Sequence, residues 1–474
     1  MEFEWGFFID LGIVGVALLL STFLRSRIRF FQRYLIPNAL TAGFFLLFFY
    51  NYLAPVMGVT SDGLGGFVYH LLSISFISMT LRKASGVTRG KSTFSMSVGV
   101  LSQYALQALL GLLMTFVMIS TFLPGLFPSF GLFLPLGYVL GPGQAFAIGK
   151  GWEALGFEGS GTVGLTFAAF GFLWACFGGV FLINYGIRRG WMTKEQSAVL
   201  KDKGVTTGVI PKENEKPVGA RLTMETEAID SMTYHFVLVG IVYLSTYLLL
   251  KGLTFLLSFA GDLGVQLAVN LWGLSFIFAA LMALLAKRVI RFLKLEYTLD
   301  NGSLTRISGT SVDLMVAASI GAISITIVVQ YWLPILILCT LGGIVTIVTV
   351  PWICSRLFTD HKFHRTLIIY GACTGTMPTG LALLRVVDSE FETPAASEYM
   401  FSAGITFFLA IPFILIINLP AYSYTTGNPL YFWIAVAVSG GYLVYSLVAF
   451  LILSRRKAFA SPSKIWHHEK PSNP

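Results

Sequence analysis

The chain has 474 residues, of which 55% are apolar and only 12% charged, about half the charged share of a soluble protein. That excludes a soluble globular fold, which would need far more charge to cover its surface. The net charge of +9 calls for no nucleic acid, because basic loops facing anionic lipid head groups account for it.

The apolar residues come in runs of about 20, long enough to cross a hydrocarbon core of roughly 30 Å as helices. Barrel strands would alternate in hydrophobicity, and these runs do not, so helices are left to satisfy every backbone group in lipid. In chain order the predicted spans are 5–24, 37–56, 65–81, 95–122, 161–187, 232–256, 265–286, 309–329, 333–354, 398–419 and 429–453, eleven in all. Two further apolar segments, 132–152 and 366–387, are interrupted by Gly, Pro and polar residues and read as re-entrant hairpins. A Lys/Glu-rich stretch, 188–230, contains Pro211 and Pro217 and reads as a linker near the middle of the chain. The basic, Pro-bearing tail from Ser454 reads as disordered. The expected organisation is an N-terminal repeat (1–187), a cytoplasmic linker (188–230), an inverted C-terminal repeat (231–419), and an extra helix with a cytoplasmic tail (420–474).

Basic residues favour the cytoplasmic side. They follow the first span (Arg25 to Arg33), the third (Arg82 to Lys91), the seventh (Lys287 to Arg306), the ninth (Arg356 to Arg365) and the last (Arg455 to Lys457), and they fill the linker. With the N-terminus outside and both hairpins non-spanning, all but Lys150 and Lys251 of the 32 basic residues fall inside. Cys176, Cys339, Cys354 and Cys373 all sit in apolar segments without a Cys-x-x-Cys pair and read as packing residues. The chain carries no Walker loop, dinucleotide fingerprint or His-Glu-x-x-His pattern. The reading is therefore of no enzyme, no cofactor and no structural or catalytic metal.

The interrupted segments recur at matching places. GYVLGPGQAFAIGKGWEALGF starts at Gly137, and YGACTGTMPTGLALLRVVD starts at Tyr370. A shift of 234 puts Gly141 on Gly375, and a shift of 232 puts Asn38 on Asn270. Each half then has five spans and one hairpin. Five is odd, so the second half is inverted relative to the first, a pattern that points to a transporter binding site. A hairpin tip within the membrane leaves backbone groups without helical partners, and these can hold a small anionic solute. The alternative is a pair of helices kinked by Gly and Pro without a ligand.

At these hairpins the sequence resembles the bacterial sodium/glutamate symporter family, weakly but over most of residues 5–419. Tyr34-Leu35-Ile36-Pro37 is similar to the family's Tyr-x-Ile-Pro, Gly143-Gln144 falls where the family has Gly-Gly-His-Gly-Thr, and Met377-Pro378-Thr379 resembles its Gly-Ala-Thr-Pro-Thr. Gln144 stands where the family has His, both hairpins carry fewer glycines, and span 429–453 is an addition. The resemblance implies a Na⁺-driven symporter of the bacterial inner membrane, an inverted-repeat fold, a homodimer, and elevator-like movement of the hairpin-bearing domain.

Candidate substrate-binding residues are Gly143, Gln144 and Ala145 in the first hairpin and Gly375, Thr376, Pro378 and Thr379 in the second. Gln144 can donate to or accept from a ligand, or tie down its own hairpin. The hydroxyls of Thr374, Thr376 and Thr379 can serve a ligand or free carbonyls. Candidate ion-coupling residues are Asp313, Asn38, Asn270 and Ser73. Asp313 is the clearest acid within a predicted span, on one helical face with Ala317, Gly321 and Ser324. It is expected beside the second hairpin, with a site near the cytoplasmic surface as the alternative. Asn38 and Asn270 either cap their helices or offer an oxygen to an ion. His70 reads as structural, and Lys150 and Arg385 read as snorkelling cations or partners of an anionic substrate. Three further functions compete with Na⁺-coupled uptake of a small carboxylate: a proton-coupled carrier or exporter with Asp313 as its proton site, a membrane-embedded enzyme, and a channel.

Overall fold

The structure is a computed structural model that describes residues 5–34, 36–83, 90–191, 203–212, 216–259, 261, 268, 271–388, 393–460 and 462–467. The described residues form helices and turns, without strands. Among the described residues, eight helices are long and apolar enough to cross a membrane: α1 (Gly6–Arg27), α2 (Asn38–Met57), α3 (Asp62–Leu81), α4 (Lys91–Thr121), α7 (Ser160–Arg188), α8 (Ser231–Ser258), α11 (Trp332–Leu357) and α15 (Leu430–Ser454). The other three predicted spans fall on α9 (Ser275–Phe292), α10 (Asn301–Gly321) and α14 (Ala395–Leu415), of 18, 21 and 21 residues. The first interrupted segment consists of α5 (Phe130–Leu140) and α6 (Pro142–Glu153). The second consists of α12 (Lys362–Thr374) and α13 (Met377–Arg385).

Local chemistry sets several of these boundaries. The Asp230 carboxylate accepts from the N–H groups of Met232 (2.9 Å) and Thr233 (3.0 Å), capping α8. Asp300 caps α10 by accepting from the Ser303 N–H at 2.7 Å. That cap corrects the predicted span 309–329. The helix starts eight residues earlier, at Asn301, and ends at Gly321, and Ser324 belongs to the break before the short helix Ile325–Gln330. The first turns of α10 are rich in Ser, Thr and Gly, so hydropathy alone hides them.

The helices pack as two bodies. In one, α10 lies across α3 and α2, α9 packs on α3, α1 on α2, and α8 on α9. In the other, α6 packs on α7, α12 on α13 and α11, and α4 lies against α11, α14 and α15. Each body takes elements from both halves of the chain. They meet mainly where α6 and α7 face α3 and α10.

One face gathers the basic segments. Arg25 donates to the carbonyls of Ile36 (3.1 Å) and Thr206 (3.3 Å), joining α1 to the linker. The Arg221 N–H reaches Asp300 at 3.2 Å, the Lys83 N–H reaches the Asn301 amide oxygen at 2.7 Å, and Lys287 donates to the Thr80 carbonyl at 3.1 Å. The ends of α1, α3 and α9, the start of α10 and the linker therefore share a side.

The tail is the second correction. Among the described residues, Arg455–Lys457 form a helical turn, and Ala458 and Trp466 are buried in a core cluster with Phe363, Leu367 and Ile368. The tail is docked because its aromatic and backbone groups find partners on α11 and α12, a tertiary effect that composition does not reveal.

Candidate functional site

Both interrupted segments fold back on themselves. In the first, the rings of Phe133 and Trp152 lie 4.9 Å apart on either side of the break. In the second, a Cβ on Gly371 would lie 2.7 Å from the Gly380 Cα, so the two limbs touch along their backbones. Gly is required there because any side chain would drive the limbs apart.

The breaks are sharp. Gly141 has φ 90° and ψ 179°, a conformation that an L side chain rarely adopts, and α6 starts at the next residue, Pro142. In the second hairpin, α12 ends at Thr374, the chain is extended at Thr376, and α13 starts at Met377 with Pro378 as its second residue. The two tips meet: a Cβ on Gly141 would lie 2.6 Å from Thr376 Cγ2 and 3.8 Å from the Gly375 carbonyl oxygen. Two helix N-termini and two helix C-termini thus converge. First-turn N–H groups and last-turn carbonyls have no partners within their helices, so the N-termini present positive ends and the C-termini negative ones.

The polar groups around the tips fall into two sets. Some are committed: Thr374 donates to the Tyr370 carbonyl at 2.8 Å, Tyr138 to the Cys339 carbonyl at 2.7 Å, and Tyr370 to the Trp174 carbonyl at 2.7 Å. The first bond lies within α12; the other two fix the first hairpin to α11 and the second to α7. Others are available. Gln144 is 1% exposed and its amide oxygen has no protein partner. The hydroxyls of Thr376 and Thr379 face each other at 3.3 Å. Gly143 and Ala145 are buried beside Gln144, and Gly143 lies against Leu72 of α3. Ser73, the next residue, is fully buried and its hydroxyl has no partner.

The remaining candidates lie elsewhere or are already engaged. The packing of α10 is chiefly with α3 and α2, and it reaches the first hairpin at α6. The expectation that Asp313 lies beside the second hairpin is corrected accordingly. Nor do its face-mates share its setting: Asp313 is exposed, whereas Ala317 and Gly321 are buried. Asn38 does not cap α2. It is the first helical residue, and its amide nitrogen donates to Thr22 of α1 at 2.9 Å, while its buried amide oxygen has no partner. Asn270 lies outside the described residues. Lys150 pairs with Glu153 at 2.8 Å, and His70 bonds the Tyr243 hydroxyl at 2.6 Å. Arg385 is exposed at the end of α13.

One polar group was missed in the sequence. Gln103 and Gln107, one turn apart on α4, are both fully buried. Gln107 donates to the Cys373 carbonyl at 3.0 Å and to Thr346 at 2.9 Å, and Gln103 accepts from Thr349 at 3.0 Å. Gln107 therefore holds the last turn of α12 at the second tip. Two glutamines four residues apart in an apolar span were the available signal. Comparison with protein-family models, curated proteins and solved structures returns no match.

Proposed function

We propose that the chain is a secondary active transporter that couples Na⁺ to symport of a small carboxylate such as glutamate. The observation that carries this reading is the meeting of the two tips at Gly141 and Thr376. Four half-helix ends in one buried place suit a carboxylate at the N-termini and a cation at the C-terminal carbonyls. The unpartnered Gln144 oxygen adds an acceptor for a cation or a ligand N–H.

Two contacts support an inverted repeat. Residues on a two-fold axis touch their own mates. Gly141 and Gly375, 234 apart in sequence, adjoin at the tips. Ser75 and Ser308, 233 apart, share a buried hydrogen bond of 2.9 Å where α3 crosses α10. On this reading the body built of α4–α7 and α11–α15 moves elevator-like against the other, in a homodimer of the bacterial inner membrane. The basic face is cytoplasmic and the N-terminus outside. The protein is a carrier, not an enzyme.

A proton-coupled carrier or exporter is the second reading, favoured by the exposure of Asp313 midway along α10. Uptake into liposomes separates the two. Labelled glutamate and other small carboxylates should accumulate under an inward Na⁺ gradient at equal pH. Gln144→Leu should reduce the rate about tenfold, equivalent to about 1.4 kcal/mol. Accumulation driven by a pH gradient without Na⁺ would transfer the coupling to protons. No accumulation of any tested carboxylate under either gradient would remove the proposal.

A further inference from the structure

The described part of the C-terminal tail, to His467, reaches the base of the second hairpin. Beyond α15 the chain crosses the ends of α11 and α12. Trp352 of α11 donates its indole N–H to the Pro462 carbonyl at 3.2 Å. Arg356, fully buried, donates to the carbonyls of Ala460 (3.2 Å) and Lys464 (2.9 Å), while its guanidinium carbon lies 4.2 Å over the Trp352 ring. Trp466 is 7% exposed. It stacks on Trp191, beyond the end of α7, with centroids 4.4 Å apart and planes 12° from parallel. It also meets Phe363, the second residue of α12, edge-on at 6.1 Å.

We propose that residues 455–467 form a strap that holds the base of the second hairpin, with Trp466 as its plug in the Trp191–Phe363 slot and Arg356 as its lock. Two independent kinds of contact end on the same place. The stacked ring buries aromatic surface against the first turn of α12. The guanidinium donates charge-assisted hydrogen bonds to two tail carbonyls four residues apart, those of Ala460 and Lys464, which fixes the register of the tail. Arg356 is buried with the tail in place, and withdrawing the tail removes its bonds to the Ala460 and Lys464 carbonyls. The strap therefore closes in a fixed position and loads directly onto the limb that runs from Phe363 to the tip at Gly375. Releasing it frees that limb while leaving the α3–α10 body untouched. Its effect on transport rests on the carrier reading; its effect on the hairpin does not.

Amide hydrogen exchange on the full chain tests this without any substrate. Three proteins are compared with the wild type: Trp466→Ala, Trp466→Phe and a chain ending at Ser454. In Trp466→Ala and the shortened chain, amides 363–369 should exchange about tenfold faster, while those of α10 stay unchanged. Trp466→Phe should retain most of the protection, because an aromatic ring still fills the slot. Wild-type exchange at 363–369 in Trp466→Ala would overturn the strap. So would an equal rise in α10, which would make the tail a contributor to overall stability only. If the shortened chain fails to fold, the two point variants decide.

Discussion

At the scale of single residues, the hairpin tips and helix caps hold positions where one atom more or less changes the outcome. Gly141→Ala adds a Cβ at φ 90° that would meet Thr376 at 2.6 Å. The expected cost is about 1–3 kcal/mol, read as a lower denaturation midpoint, with the tips pushed apart. Asp300→Ala removes the α10 cap and the tether to the Arg221 N–H, at a cost of about 1 kcal/mol. The same carboxylate links stability to pH. Burial alone would raise its pKa, but bonds from the Ser303 and Arg221 N–H groups, the Ser303 hydroxyl and the Gly302 N–H outweigh this and hold it below the ordinary 3.8. A depressed folded value means that its contribution is present above the unfolded value and lost as pH falls through the folded one. Melting curves should therefore show the wild type losing its advantage over Asp300→Ala only in strong acid. An equal gap at all pH values would show that the carboxylate's charge is not what counts. The place of Gln144 at a hairpin tip was legible in the sequence because Gly141 and Pro142 mark the break beside it; that its amide oxygen is buried without a partner was not. Gln103 and Gln107 were not, because a long apolar span conceals which of its faces touches a hairpin. The bond from Asn38 to Thr22 is tertiary and leaves no local pattern.

At the scale of elements, the interruptions at Gly141 and Gly375 were visible because Gly and Pro break helices by backbone chemistry, whatever surrounds them. The limits of α10 were not, because a capped helix of Ser, Thr and Gly is too polar for a hydropathy window. The docked tail was missed for the converse reason: its composition is that of a free end, and its partners lie about 100 residues away in sequence. Two pairings make predictions here. Arg365, at the foot of the second hairpin, is 1% exposed and grips Glu398 of α14 through Nε to Oε2 at 2.8 Å and Nη2 to Oε1 at 3.2 Å. Glu398→Gln leaves that guanidinium short of a counter-charge and should cost about 3–5 kcal/mol, measured by thermal unfolding. A drop of less than about 1 kcal/mol would mean that Asp360 alone suffices. At the α3–α10 crossing, cysteines in place of Ser75 and Ser308 should cross-link readily under mild oxidation, since the hydroxyls are 2.9 Å apart. Failure to cross-link in folded protein would contradict the crossing on which the two-fold relation depends.

At the scale of the whole molecule, the helices divide between two bodies that pack more sparsely against each other than the helices within each do. The proposed carrier mechanism requires one of them to move past the other. The Gln144 site lies in α6, the hairpin limb that faces the other body, so movement of one body past the other would alter which side of the membrane the site meets. Composition indicated a membrane protein, and charge placement indicated which loops share a face. The division into bodies was beyond the sequence, because it depends on which helices of the two halves of the chain touch. The account's central claim is tested most directly by the accessibility of Gln144. A single cysteine replacing it, with the four native cysteines removed, is labelled in sealed vesicles by a membrane-impermeant maleimide added to one side or the other. Labelling is followed with and without Na⁺ and glutamate. A carrier predicts reaction from both sides, with ion and solute shifting the balance between them. No reaction from either side in a folded protein, or equal reaction whatever is added, would contradict alternating access at the hairpin tips.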